Sequence, residues 1–229
     1  MSYKLFLFDL DDTLLDFKES EKLSFSSVMQ SLGIQSDMTA LFSQYQIENR
    51  KLWTEFEKGL ITQEYLKVER FRRTLEPLQA AVDPHLVAKR YLEALPESVV
   101  LIDGAVEICR ELSAAGEVGI VTNGISGVQN QRIAKSALEP YISFICVSED
   151  SGYAKPDVRF FDYAHSLRPH VQKDEMIVIG DRLETDILGA HNFGTDSCWF
   201  NPKNDKSMAA VQPKYEVQSL SELRRFIKS

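Results

Sequence analysis

The stretch Lys4-Leu5-Phe6-Leu7-Phe8-Asp9-Leu10-Asp11-Asp12-Thr13 holds, near the start of the chain, the features that decide the fold. Its first half is an unbroken apolar run, which is typical of a strand buried on both faces of a parallel sheet. Carboxylates placed directly after such a strand lie at the carboxyl edge of the sheet, where open α/β folds bind ligands. Three adjacent acids repel one another unless protons or a cation neutralise them, and Mg²⁺ prefers such oxygen ligands. The stretch therefore predicts a Mg²⁺ site, with a solvated acidic turn as the alternative.

Composition narrows the class of protein. The chain has 229 residues, of which 44% are hydrophobic and 26% charged, as expected for a globular protein of one or two domains. The net charge of -8 argues against a nucleic-acid polymer as partner but allows a small phosphorylated metabolite. Asp9 interrupts the first apolar run, so we expect no signal peptide, and no run is long enough for a membrane span. We expect a cytoplasmic monomer or homodimer with no membrane partner, whose three scattered cysteines are reduced core residues.

Residues 16–96 carry apolar side chains at three- and four-residue steps, which predicts helices. Breaks near Gly33, Gly59 and Pro77 divide the segment into four helices, and short connections favour a small bundle. A bundle inserted directly behind the first strand is well placed to act as a lid. We therefore expect a helical cap domain at 16–96 and a catalytic core formed by 1–15 and 97–229. The arginines Arg70, Arg72 and Arg73 are expected on a solvated helix face.

From Val99 onward strands and helices alternate. Strands are predicted at 118–121, Phe144–Val147, 176–179, 198–200 and Tyr215–Val217. Helices are predicted between them, including one capped by Asp103 and one at 186–192. This alternation implies right-handed crossovers and an α/β fold with a Rossmann-like, doubly wound parallel sheet.

Polar residues follow the predicted strands, and parallel strands bring their carboxyl ends to one crevice. The residues expected there are Asp9, Asp11, Thr122, Lys155, Asp181 and Asp186. They supply a carboxylate nucleophile, a second carboxylate for acid–base work, a hydroxyl donor, an ammonium and acids for a metal. In phosphoryl transfer, positioning and charge neutralisation do most of the catalysis, so this set favours that chemistry.

Four segments together resemble the motifs of the haloacid dehalogenase superfamily, in the same order. They are 9–13, Thr122-Asn123-Gly124, Lys155-Pro156 and Gly180-Asp181 through Thr185-Asp186. The resemblance covers the whole chain, because the helical insertion corresponds to the cap of that family.

The resemblance implies a role for each matching residue. Asp9 would attack phosphorus and form an aspartyl-phosphate, and Asp11 would protonate the leaving oxygen and then deprotonate water. Phosphate contacts are implied for Leu10, Asp11, Thr122, Asn123 and Lys155. Metal ligation is implied for Asp9, the Asp11 carbonyl, Asp181 and, through water, Asp186. Thr13 and Asn123 would buttress their loops, and Asp12 would cap its turn.

The second acid, Asp11, separates subfamilies. A halide leaving group needs no proton, whereas an alkoxide leaving phosphorus does, so Asp11 favours a phosphatase over a dehalogenase. The cap segment around Asn49, Trp53 and Thr62 resembles that of house-cleaning nucleoside 5′-monophosphatases, which implies pyrimidine or modified-base nucleotides as substrates. Trp53 could stack on a base, although its helical spacing with Leu52 favours a core role.

The sequence leaves four alternatives open. The chain could hydrolyse sugar phosphates or other small phosphometabolites, or it could be a phosphomutase. It could also be a phosphoacceptor switch similar to receiver domains, or an inactive binding protein. Receivers lack an inserted bundle and take phosphate on the third strand, which here leads into Ser148-Glu149-Asp150.

Overall fold

A computed structural model of the chain describes residues 3–78, 82–206 and 211–227. The chain divides into two compact units. The first unit combines Met1–Phe17 with Val99–Ser229, and the second consists of Lys18–Ser98. Within the described ranges, no helix is long and apolar enough to cross a bilayer.

A six-stranded parallel sheet forms the centre of the first unit, as far as its residues are described. Its strands are β1 (Leu5–Phe8), β2 (Glu117–Thr122), β3 (Phe144–Val147), β4 (Met176–Gly180), β5 (Asp196–Phe200) and β6 (Tyr215–Val217). The spatial order is β3-β2-β1-β4-β5-β6, and every neighbouring pair is parallel. The predicted α/β fold with a Rossmann-like, doubly wound sheet is confirmed.

Strand β1 is unbroken in its apolar character because both of its faces are covered. Phe6 and Phe8 pack into the core on one side of the sheet, and Leu5 and Leu7 pack into the core on the other. All four side chains are fully buried. β1 also lies between β2 and β4, where the strand order reverses, so the residue that follows it occupies the point at which such sheets bind ligands.

The second unit is helical. Its helices are α1 (Phe17–Ser31, beginning at the last residue of the first unit), α2 (Met38–Glu57), α3 (Gln63–Leu75) and α4 (Pro84–Ala94). Thr62 caps α3 by accepting a hydrogen bond from the Tyr65 backbone N–H at 3.2 Å, and Asp83 caps α4, which has Pro84 in its first turn.

The interior of the second unit contains a buried polar chain. Arg70 is only 2% exposed, and its Nη1 donates to Asn49 Oδ1 at 3.2 Å. Asn49 in turn donates to Glu21 at 2.9 Å. The expectation that Arg70 lies on a solvated face is therefore wrong; its guanidinium packs over the rings of Phe71 and Tyr91. The side chain of Asn49 is used inside the helical unit.

Five further helices of the first unit flank the sheet among the described residues. They are α5 (Ala105–Ser113), α6 (Ser126–Ala134), α7 (Ser148–Ser151), α8 (Val158–Ser166) and α9 (Leu188–Phe193). The prediction that Asp103 caps α5 is wrong, because Gly104 occupies the N-cap position with φ of 79° and no side chain caps the helix. A π-helical turn, Leu183–Ile187, precedes α9, so Asp186 lies inside a helical segment that starts earlier than predicted.

Candidate active site

Lys155 joins the loops that follow the strands. Its buried ammonium donates hydrogen bonds of 2.7 Å to Asp9 Oδ1 and 2.7 Å to Asp186 Oδ1. A third bond, of 2.8 Å, reaches the backbone carbonyl of Val121 in β2. All three donors of the ammonium are thus in use, which fixes one positive charge between two carboxylates.

The carboxylate of Asp9 is held on both of its oxygens. Lys155 binds Oδ1, and the hydroxyl of Thr13 donates to Oδ2 at 3.1 Å. Thr13 also lies 3.4 Å from Asp181 Oδ1, so the same hydroxyl links the loops after β1 and β4. Since Thr13 is buried, its single proton has few competing acceptors. These contacts set the rotation of the Asp9 carboxylate.

Asp9, Asp181 and Asp186 form an acidic cluster. One carboxylate oxygen from each lies within 4.8 Å of the other two. Burial raises the pKa of Asp9 to about 7. Burial and the negative charge of Asp186 together outweigh the lowering effect of Lys155 on this pKa. Burial, together with Asp9 and Asp186, raises the pKa of Asp181 to about 8. One lysine cannot balance three carboxylates, so the donor set fits a hard divalent cation with oxygen ligands.

Asp186 is the most deeply buried member of this cluster. Its Oδ1 accepts from Lys155, and its Oδ2 accepts from the backbone N–H of Arg182 at 3.1 Å. Its carboxylate also rests on Gly180, where a Cβ atom would lie 2.3 Å from Oδ2 and 2.4 Å from Cγ. Asp186 therefore has less free coordination capacity than Asp181, in keeping with contact through water. Glycine is required at 180 by this close approach.

Asp181 is anchored through its backbone. The indole Nε1 of Trp199, on β5, donates to the Asp181 carbonyl at 2.8 Å. This bond leaves the Asp181 carboxylate to face Asp9 and Thr13. The indole of Trp199 is largely buried, so its one N–H donor requires a hydrogen-bond partner, and the Asp181 carbonyl is that partner.

The loop after β2 contributes Thr122 and Asn123. Thr122 is buried, and its Oγ1 accepts from the Gly124 N–H at 3.1 Å. Asn123 bridges the backbone of Lys155: its Oδ1 accepts from the Lys155 N–H at 2.7 Å, and its Nδ2 donates to the Lys155 carbonyl at 3.0 Å. The side chain of Asn123 therefore buttresses the Lys155 loop, and a phosphate contact from this residue would have to come from its backbone.

Asp11, Asp12 and Leu10 occupy three different environments. The carboxylate of Asp11 is 29% exposed and is bound by Gln129 and Arg132 of helix α6. Asp12 adopts a left-handed φ of 61°, which aspartate tolerates, and its carboxylate accepts from the Phe17 N–H. The Leu10 side chain is part of the core, so only its backbone could reach a phosphate.

Gln129 and Arg132 were missed by reasoning from the sequence. A signal for them exists, since Val128, Gln129, Arg132 and Ile133 form one helical face. All four are buried, and two polar residues on an otherwise apolar face indicate buried partners.

The comparisons with known proteins agree with this architecture. A model of the family described as haloacid dehalogenase-like hydrolase matches residues 6–200. YfnB of Bacillus subtilis (strain 168), described as a HAD-hydrolase, is 36% identical over 223 residues, which are 96% of this chain and 94% of YfnB. The crystal structure of YfnB bound to magnesium has a TM-score of 0.92 at 34% identity and covers 100% of both chains.

Two further relatives have named activities. Pyrimidine 5′-nucleotidase YjjG of Escherichia coli (strain K12) is 30% identical over 227 residues, covering 99% of each chain. Pyrimidine 5′-nucleotidase PynA of Streptococcus pneumoniae (strain ATCC BAA-255 / R6) is 33% identical over 224 residues, covering 97% of this chain and 94% of PynA.

Proposed function

The chain belongs to the haloacid dehalogenase-like hydrolases, and we propose that it is a Mg²⁺-dependent phosphomonoester hydrolase that forms an aspartyl-phosphate on Asp9. It is an enzyme of the phosphatase type, as its nucleotidase relatives support. We further propose pyrimidine or modified-base nucleoside 5′-monophosphates as its substrates. We also propose that residues 16–96 form a cap domain and that residues 1–15 and 97–229 form the catalytic core.

One observation carries the proposal: the buried carboxylate of Asp9 is fixed by Lys155 at the point where the strand order of the sheet reverses. A nucleophile needs a defined orientation and an unprotonated oxygen. Lys155 favours the ionised form of Asp9, although burial and Asp186 raise its pKa to about 7. The same ammonium would also neutralise a phosphoryl oxygen brought next to Asp9.

In the first step, a carboxylate oxygen of Asp9 forms a bond to phosphorus while the bond to the ester oxygen breaks. Asp11 donates its proton to that departing oxygen, so the alcohol leaves neutral. The hydroxyl of Thr122 donates a hydrogen bond to a phosphoryl oxygen, and the backbone N–H groups beside it donate further hydrogen bonds.

In the second step, water attacks phosphorus of the aspartyl-phosphate. Asp11, now ionised, accepts a proton from that water, and the bond between phosphorus and Asp9 breaks. Inorganic phosphate leaves and the carboxylate of Asp9 is restored. Both protonation states of Asp11 are therefore used in one turnover, as acid in the first step and as base in the second. An enzyme that displaces a halide would not need the acid.

The residues that would hold Mg²⁺ are Asp9, the carbonyl of Asp11, Asp181 and, through water, Asp186. Their oxygen donors and mutual repulsion fit this ion. When bound, Mg²⁺ supplies charge neutralisation for the carboxylates and for the phosphoryl group. Lys155 and Thr13 keep the ligands Asp9 and Asp181 in register.

Phosphate release from a substrate panel tests the proposal. The panel contains pyrimidine and purine nucleoside 5′-monophosphates, sugar phosphates and p-nitrophenyl phosphate, each with EDTA or with Mg²⁺. Selective, Mg²⁺-dependent hydrolysis of pyrimidine nucleotides is expected. Preference for sugar phosphates would keep the chemistry and remove the substrate assignment. A transfer of phosphate within a sugar, without release, would identify a mutase, and an absence of turnover on every substrate would contradict the proposal.

A further inference from the structure

Two buried side chains of α6 bind the carboxylate of Asp11. Gln129 Nε2 donates to Asp11 Oδ2 at 2.8 Å, and Arg132 Nη1 donates to Asp11 Oδ1 at 2.5 Å. Arg132 Nη1 also donates to Gln129 Oε1 at 2.9 Å. The three groups form a closed ring of hydrogen bonds, so neither the amide of Gln129 nor the carboxylate of Asp11 can rotate without breaking a bond.

Arg132 is placed at a cost that its own hydrogen bonds do not offset. Its side chain is fully buried, and its Nε and Nη2 have no hydrogen-bond partner in the part of the chain that the structure describes. Burying an incompletely satisfied guanidinium is unfavourable. The ring of Phe17, 5.2 Å from the guanidinium carbon, and the ion pair with Asp11 are its compensations. A residue kept under such conditions is a candidate for a functional role.

Gln129 also contacts the loop after β2. The same Nε2 that binds Asp11 lies 3.0 Å from Thr122 Oγ1. Thr122 Oγ1 already accepts from the Gly124 N–H, so both of its acceptor positions are filled. Its one hydroxyl proton is then directed away from these two donors. A single amide thus orients both the Asp11 carboxylate and the Thr122 hydroxyl.

We propose that Gln129 and Arg132 are positioning residues of the reaction, holding the acid–base residue Asp11 in register with the phosphoryl-binding hydroxyl of Thr122. This inference rests on the proposed phosphatase activity. Neither residue touches the reacting atoms in it: Arg132 acts through Asp11, and Gln129 acts through Asp11 and Thr122. Helix α6 becomes the element that links acid–base chemistry to phosphate binding.

Gly124 provides an independent way to disturb this arrangement. A Cβ atom at Gly124 would lie 2.4 Å from Gln129 Nε2 and 2.6 Å from its Cδ. Because that amide is the end of a flexible side chain, Gly124→Ala would displace it from Asp11 and Thr122 rather than unfold the loop. A Cβ atom at Gly127, in the first turn of α6, would have no other atom within 4 Å. Gly127→Ala is therefore a matched control.

The experiment compares kcat/KM for two leaving groups. A nucleoside 5′-monophosphate releases an alkoxide that needs a proton, whereas p-nitrophenyl phosphate releases a phenolate that needs little help. Asp11→Asn serves as the reference and should lose more with the alkyl ester than with the aryl ester. Gln129→Ala and Arg132→Met should each lose about 10²-fold with the alkyl ester, about tenfold more than with the aryl ester. Arg132→Lys should recover part of that difference.

A structural role alone would lower both kcat/KM values by the same factor, and equal losses would overturn the inference. Gln131→Ala, at an exposed position of the same helix, and Gly127→Ala should leave both values unchanged. Circular dichroism checks folding. If Arg132→Met does not fold, Gln129→Ala and Gly124→Ala carry the test, since both should show the same leaving-group selectivity.

The proposed function and the positioning role of Gln129 and Arg132 can fail separately. An inactive wild type, or equal losses in Asp11→Asn, would contradict the proposed function and remove the inference with it. An active wild type and a selective Asp11→Asn, together with unselective Gln129 and Arg132 variants, would overturn the positioning role alone.

Discussion

The ammonium of Lys155 lies 2.7 Å from Oδ1 of Asp9, although 146 positions separate the two residues in the chain. Both groups are almost fully buried. Their contact depends on β1, β2 and β3 being neighbours in a parallel sheet, because only then do the segments after β1 and β3 meet at one edge. The consequences of this pair, and of the cluster around it, can be measured.

Asp9→Asn should abolish turnover and leave the fold intact. The amide keeps the shape of the carboxylate and can still accept from Lys155, but it cannot act as the nucleophile. Phosphate release and circular dichroism provide the two measurements. Asp174→Asn, at an exposed position, is the control and should behave as the wild type. Appreciable residual activity in Asp9→Asn would contradict the assignment of Asp9 as the nucleophile.

Asp11→Asn should lower turnover of alkyl phosphates by ~10²–10⁴-fold, the usual contribution of acid–base catalysis. The amide can still bind Arg132 through its oxygen, so folding should be preserved. Steady-state kinetics on a nucleoside 5′-monophosphate measures the loss. A near-normal rate would mean that the proton comes from another group.

Lys155→Met should inactivate the enzyme and destabilise it by about 3–5 kcal/mol at pH 8, because Asp9 and Asp186 would be left as buried carboxylates without their partner. The loss should shrink at pH 5, since the raised pKa of Asp9 lets it bind a proton there. Urea denaturation of metal-free protein measures both. Lys203→Met, at an exposed position, should show neither effect.

Gly180→Ala should weaken the metal site. The added methyl would overlap the Asp186 carboxylate, which cannot move away without leaving Lys155 and the Arg182 N–H. We expect a destabilisation of about 1–3 kcal/mol, typical of overpacking, and a higher Mg²⁺ concentration for half-maximal activity. Gly127→Ala is the control and should be neutral or stabilising. An unchanged Mg²⁺ requirement would show that Asp186 does not need this position.

Stability of the metal-free protein should depend on pH through Asp9 and Asp181. Their folded-state pKa values, about 7 and about 8, exceed the unfolded value of 3.8, so the folded state retains protons that the unfolded chain releases. Their contribution is complete below about pH 4 and is lost as pH rises to about 8. Mg²⁺ binds the ionised carboxylates, so the stabilisation it adds should grow over that interval.

Urea denaturation at pH 5 and pH 8, with EDTA and with Mg²⁺, isolates this effect from other titrating groups. The increment due to Mg²⁺ should be larger at pH 8. Asp181→Asn should remove most of the difference. An increment that is equal at the two pH values, or larger at pH 5, would contradict the metal assignment.

The sequence alone determined the fold class and the strand-end residues. Apolar runs such as Leu5–Phe8 are local signals, because a strand covered on both faces needs apolar side chains at every position. N-caps such as Thr62 and Asp83 are also local features, since each binds a backbone N–H within three residues of itself. Asp103 failed as a cap because Gly104 could take the left-handed φ that the turn required.

Only the tertiary structure decided which of the polar residues serve the site. Arg70 and Arg132 are both arginines on predicted helices, yet one binds Asn49 inside the helical unit and the other binds Asp11. Arg70 is 21 positions from its partner in the chain, and Arg132 is 121 positions from its own. Such pairings depend on how the chain folds back on itself, and local propensity holds no information about them. The energy of a buried charge is set by its partners, so its role could be read only once those partners were in place.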